Sequence, residues 1–185
     1  MKATLPAIAI ATSSLLGLAS FSAQAADGTI TITGTVSDTT CSINGKASGT
    51  SADKSITLPS VSAGSLSTAG NVAGTSSPSD VVLTLSGCTG TATKAISRFE
   101  NGPTVDQTSG YLNNSGTATK VQVRLLNAQM QPINITTNAN NDISTNAATI
   151  STGGASLKYF AQYYATGKAT AGTVSTSVQY TMQYQ

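Results

Sequence analysis

The chain has 185 residues, room for one domain of ordinary size, and only 9% of them are charged against a usual value of about 25%. Nine Lys and Arg against seven Asp and Glu leave a net charge of +2, with no basic cluster to hold nucleic acid. His is absent and Cys occurs twice, which excludes a His-based metal site and a Ser-His-Asp triad, while 39% apolar residues suffice for a core.

In chain order, the first segment predicts export. Met1-Lys2 is a short positive start, Leu5 to Leu18 is apolar apart from Thr12, Ser13 and Ser14, and Ala23-Gln24-Ala25 is the small-x-small pattern of a cleavage site. The apolar run is about 14 residues, short of the roughly 20 that span a bilayer. Residues 1–25 therefore read as a signal peptide. Export places Cys41 and Cys88 in an oxidising compartment, where the single pair is expected as a disulfide.

From Thr29 onward, period-2 alternation and turn residues dominate, and no helix of useful length is predicted. Strands are expected at Thr29–Val36, Asp80–Ser86, Lys120–Leu126, Lys158–Ala165 and Val174–Tyr184. Ser, Thr, Gly and Asn fill the stretches between them, at 45–53, 64–79, 102–116 and 138–154, and the chain carries 55 Ser and Thr in all. Asn44-Gly45 and Asn101-Gly102 are hairpin signals. Lys94, Arg98 and Glu100 read as a small surface cluster. Strands spaced this way imply one antiparallel sandwich.

Two features stand apart. Ala26 to Asp38, before the first cysteine, alternates well, with Ile30, Ile32, Gly34 and Val36 on one face; Gly34 interrupts that face, and glycine in a strand marks close backbone approach. At the other end Val178, Tyr180, Met182 and Tyr184 lie two apart, one residue before Gln185. A terminal strand with large residues on one face must be buried and needs neighbours on both edges.

Widely separated residues carry a family likeness. Tyr184 is penultimate and Gly172 is fourteenth from the end; Tyr163-Tyr164-Ala165-Thr166-Gly167 is an aromatic-Ala-Thr-Gly segment; Gly28-Thr29-Ile30, Gly34 and Cys41 follow in family spacing; and Ala118 to Leu126 matches a central strand. In these positions the chain resembles the major pilins of the chaperone–usher class, the type 1 fimbrial subunits of Gram-negative bacteria. The resemblance implies an all-β fold: an incomplete immunoglobulin-like antiparallel sandwich that lacks its last strand. It also implies an N-terminal donor-strand extension at residues 26–38 and a pilin domain at 39–185.

By that resemblance the chain would be a structural subunit of an adhesive fimbria, exported through the periplasm to the cell surface. A periplasmic chaperone would first lend a strand and an outer-membrane usher would receive the subunit. The extension of an identical subunit would then replace the lent strand, which is β-augmentation. Ile30, Ile32, Gly34 and Val36 would be the donor face. Gly172, Val178, Tyr180, Met182 and Tyr184 would form the acceptor groove and chaperone contact. On the residues alone, the N-terminal strand folding back to complete its own domain stays open. A minor or adaptor subunit and a glycan-binding surface module are the alternative functions.

No catalytic, cofactor or metal site is expected. Asp27, Asp38, Asp53, Asp80, Glu100, Asp106 and Asp142 are scattered without paired spacing, and no base stands ready to activate a Ser or Thr.

Overall fold

A computed structural model describes residues 28–34, 36 and 38–185; the predicted signal peptide and the start of the extension lie outside the described residues. Residues 36–185 form one compact unit, and residues 28–34 belong to a separate one.

The larger unit is an antiparallel sandwich of two sheets. Its strands are β1 (Thr40–Ile43), β2 (Val72–Ala73), β3 (Val81–Thr89), β4 (Lys94–Phe99), β5 (Leu112–Asn113), β6 (Val121–Leu126), β7 (Ala148–Thr149), β8 (Ala155–Ala165) and β9 (Tyr180–Tyr184). One sheet runs β1-β3-β8-β6-β5, with β2 also paired to β8; the other runs β7-β4-β9. The only helix among the described residues is a short 3-10 turn, Ala63–Leu66, with the Ser62 hydroxyl accepting from the Gly64 N–H.

Period-2 patterning builds the core between the sheets. Leu83 and Leu85 from β3, Val123 and Leu125 from β6, and Leu157, Tyr159 and Ala161 from β8 meet Ala95 and Phe99 of β4 in one buried cluster. The rings of Phe99 and Tyr159 pack edge to face at 5.0 Å. The Ser97 N–H donates to the Tyr159 hydroxyl at 3.1 Å, and the Asn141 side-chain amide donates to the Ser97 carbonyl at 2.9 Å. Side chains thus complete the edge of β4 where the two-residue β7 stops, as buried backbone groups require.

The disulfide forms as expected, joining Cys41 on β1 to Cys88 on β3. Asn44-Gly45 is a two-residue hairpin loop with φ of 50° and 76°, closed by a reciprocal pair of bonds between Ile43 and Lys46. Left-handed backbone at both positions is what this turn demands of Asn-Gly.

The structure corrects several sequence expectations. Asn101-Gly102 closes no hairpin: neither residue has a positive φ, and β4 pairs with β7 and β9 rather than with the strand that follows it. Lys94, Arg98 and Glu100 are half-buried at alternate positions of the chain. They lie on or just beyond β4, whose partners hold Ala95, Ser97 and Phe99 inward. Of the predicted strand Val174–Tyr184, only Tyr180–Tyr184 joins a ladder, because the chain before it runs beside loops instead of a strand. Described residues 28–34 and 36 form no ladder at all, and Ile30, Ile32 and Val36 are 90%, 89% and 100% exposed. Alternation alone does not make a strand; the ladder bonds must come from a partner.

Candidate functional site

The last segment of the chain is held on one side only. Gln185 and Lys94 exchange both backbone bonds, at 2.8 and 3.0 Å, and the β4–β9 register then sets Gln183 opposite Ile96 and Thr181 opposite Arg98. The Glu100 N–H donates to the Gln179 carbonyl at 2.9 Å. Farther back, the Ser177 carbonyl accepts from the Thr104 hydroxyl, and the Ser175 carbonyl accepts from the Ser115 N–H. Odd-numbered residues therefore face β4 and its neighbouring loops. By the alternation of an antiparallel ladder, the even-numbered ones turn their N–H and C=O to the opposite edge. Among the described residues, the backbones of Val174, Thr176 and Val178 have no hydrogen-bond partner.

The side chains of the same even residues face inward. Val174, Thr176, Val178, Tyr180, Met182 and Tyr184 are all half-buried while most odd residues between them are exposed, one unbroken period-2 stripe across the loop and the strand. Two glycines position its start. A Cβ on Gly172 would stand 2.4 Å from the Ala118 nitrogen, and one on Gly116 would stand 2.2 Å from the Thr173 carbonyl oxygen. Thr117 and Thr173 then tie the two backbones together, each N–H donating to the other's hydroxyl at 3.1 and 2.9 Å.

Beside this free edge lies a groove of about 990 Å³. One lip is Val174–Met182 and the other is residues 50–58; Leu83, Phe99, Val123, Leu125 and Tyr159 contribute to the lining between them. Residues 53–61 likewise make no backbone hydrogen bond among the described residues. Both lips thus carry unpartnered backbone beside core side chains. One contact spans the lips: the Tyr180 hydroxyl donates to the Ala52 carbonyl at 2.8 Å. Burial, and after it the nearby Asp53 carboxylate, push that hydroxyl above its usual pKa.

Of the residues singled out in the sequence, Val178, Tyr180 and Met182 line the groove. Tyr184 packs on the core just beyond it, and Gly172 sits against Thr117 and Ala118, outside the lining. Ile30, Ile32, Gly34 and Val36 are exposed, and no described atom lies within 4 Å of where a Cβ on Gly34 would stand. Val174, Thr176 and the 50–58 lip were not singled out. The first two continue the even-numbered period of Val178 and Tyr180; the lip offers only Ile56 and Leu58, two apart in a polar run.

A family model described as Fimbrial protein matches residues 30–185. The chain is 41% identical over 179 residues to the major fimbrial subunit SMF-1 of Stenotrophomonas maltophilia (strain K279a), covering 92% of this chain and 99% of that protein. It is 38% identical over 178 residues to the F17 fimbrial protein of Escherichia coli, covering 92% and 95%. Among solved structures it is similar to a chain of a chaperone–usher pilus, at 28% identity and a TM-score of 0.58 over 86% of this chain and 96% of that one. The P pilus rod subunit PapA, at 22% identity and a TM-score of 0.54 over 78% and 99%, shares the fold.

Proposed function

Because the chain belongs to the fimbrial protein family, and is thus a structural shaft subunit of a cell-surface fimbrium whose subunits polymerise with one another, we propose that strand donation makes the joints of that polymer. Residues 26–38 of one subunit are the donor extension, and the groove of the neighbour's 39–185 domain is the acceptor. The observation that carries this reading is the pair of unpartnered backbone rails, residues 53–61 and the even residues from Val174, set beside core side chains. A strand laid between them gains ladder bonds on both sides, each worth about 1 kcal/mol net. Ile30, Ile32 and Val36 are the exposed apolar residues at the spacing a strand would point downward. The role is structural rather than catalytic.

The same slot accounts for two further partners. A free subunit with this edge and groove open would pair at random with other chains, so a periplasmic chaperone lends a strand before assembly and an outer-membrane usher oversees the exchange. The test is a gel of sheared cell-surface material in SDS, with and without boiling in acid. A ladder of subunit multiples that collapses to monomer is expected. A chain lacking residues 26–36 should remain chaperone-bound and be unable to donate. A single monomer band in both lanes of the intact protein overturns strand donation.

A further inference from the structure

Residues 53–61 run unsupported between two anchors. Upstream the Tyr180 hydroxyl holds the Ala52 carbonyl at 2.8 Å; downstream the Ser65 N–H donates to the Ser62 carbonyl at 3.0 Å. Within the span no residue has a positive φ, and Asp53 through Thr57 are all exposed. An endoprotease takes its substrate as an extended strand whose backbone is free to pair with the enzyme, so local pairing and burial decide which bonds are cut. Lys54 is the one cation of the span, and Ser55 follows it. The other exposed cations among the described residues are tied down. Lys46 closes the Asn44-Gly45 turn, Lys158 lies in β8, and the Lys120 carbonyl accepts from the Thr166 N–H at 2.9 Å. Lys168 precedes the buried Ala169, whose N–H donates to the Leu66 carbonyl at 3.0 Å. Lys94, Arg98 and Arg124 are half-buried in β4 and β6.

We propose that the Lys54–Ser55 peptide bond is a conditional cleavage site, open to a Lys-specific endoprotease while the groove is empty and closed once a strand fills it. The opening belongs to the free subunit; the closing rests on the strand-donation reading. A strand laid between the lips would draw residues 53–61 into a ladder, and a paired backbone must leave its sheet before a protease can take it. In the cut, water adds across the amide: the Lys54 carbonyl carbon takes the hydroxyl and the Ser55 nitrogen takes the proton as the C–N bond breaks. The site lies inside the loop closed by Cys41 and Cys88, so the disulfide keeps the two pieces together. A cut subunit therefore retains its N-terminal extension through Cys41 but has a broken lip. Cleavage at this bond singles out subunits that no strand has entered and removes them as acceptors.

The test treats sheared filaments, and monomer recovered from them, with trypsin side by side and separates the products with and without reductant. Monomer should give one early cut, into a piece ending at Lys54 and a piece beginning at Ser55 that part only on reduction. Filaments should give the same cut at least about 100-fold more slowly. Lys54→Gln monomer should resist, whereas Lys168→Gln monomer should be cut like the unaltered chain. A first cut at any other Lys or Arg, or an unchanged rate in Lys54→Gln, overturns the site. Filaments that show an SDS-resistant ladder yet are cut as fast as monomer overturn its closure while strand donation stands. Filaments without a ladder overturn strand donation, and with it the closure, while the monomer arm still decides the site.

Discussion

Replacing Ile32 by Ala tests where the energy of the polymer resides. In the subunit this side chain is 89% exposed, so its removal takes nothing from the packing of the free protein. In a joined pair it would lie in the groove over residues such as Val123 and Leu125, which are buried in the core cluster. Truncating a buried Ile to Ala costs about 2–5 kcal/mol, the transfer free energy of the lost atoms plus the cavity they leave. Because the free subunit bears none of it, the whole penalty falls on the joint, roughly 30-fold in affinity at the lower bound. Sheared filaments of the variant should shed monomer at lower temperature in SDS, while the urea midpoint of the chaperone-released domain should not move. An unchanged ladder would refute the assignment of Ile32 to the joint. A matching loss in the domain's own midpoint would refute the claim that it is free there.

Four other outcomes follow from particular contacts. Replacing both Cys41 and Cys88 by Ser opens a link across 47 positions, worth roughly 4 kcal/mol in the loop-entropy model; the urea midpoint under oxidising conditions should fall to that of the reduced protein. Gly172→Ala places a Cβ 2.4 Å from the Ala118 nitrogen, an overpacking cost of about 1–3 kcal/mol visible as a lower melting temperature. Gly34→Ala, with open space around it, should leave that temperature unchanged. Burial pushes the Tyr159 hydroxyl up to about 12 from its ordinary value of 10.0. A raised pKa stabilises the fold fully below the unfolded value and loses that contribution as pH climbs through the folded one, here about 2–3 kcal/mol between pH 10 and 12. Urea midpoints across that range should fall in the intact protein, and Tyr159→Phe should start lower at pH 8, having left the Ser97 N–H unpaired, but decline less steeply.

What could be read from the residues follows from how many neighbours each strand has. β3, β6 and β8 sit inside one sheet, with large inward residues at every second position, and their expected spans agree with the observed ones to within a few residues. β4 was hidden because two of its inward positions, Ala95 and Ser97, are small, while Lys94 and Arg98 beside them read as surface charges. The 50–58 lip left almost no trace in the sequence. A segment that makes no ladder bonds and lies at a rim selects polar residues, and only Ala52 and Leu58 are drawn inward. The half-buried stripe of the last segment was legible from Val178 onward and illegible at Thr176, where a hydroxyl breaks the apolar count. The two Asn-Gly pairs show the same limit: one finds a strand to fold back onto and the other does not, a difference made by the partner rather than the dipeptide.

The two rails also determine what kind of object the chain builds. A strand added to a single free edge would remain an edge itself, solvated on one side and easily stripped. One laid between residues 53–61 and the even residues of 174–184 becomes a central strand, and withdrawing it unpairs both sides and uncovers the core together. On the strand-donation reading, durability therefore comes from inserting into a slot rather than from the area of a flat interface. The donor face and the slot are different surfaces, so each joint leaves one of each available at the growing ends and no rotation has to close. An open filament is the geometric result. Its joints would be only as uniform as the register with which each strand enters.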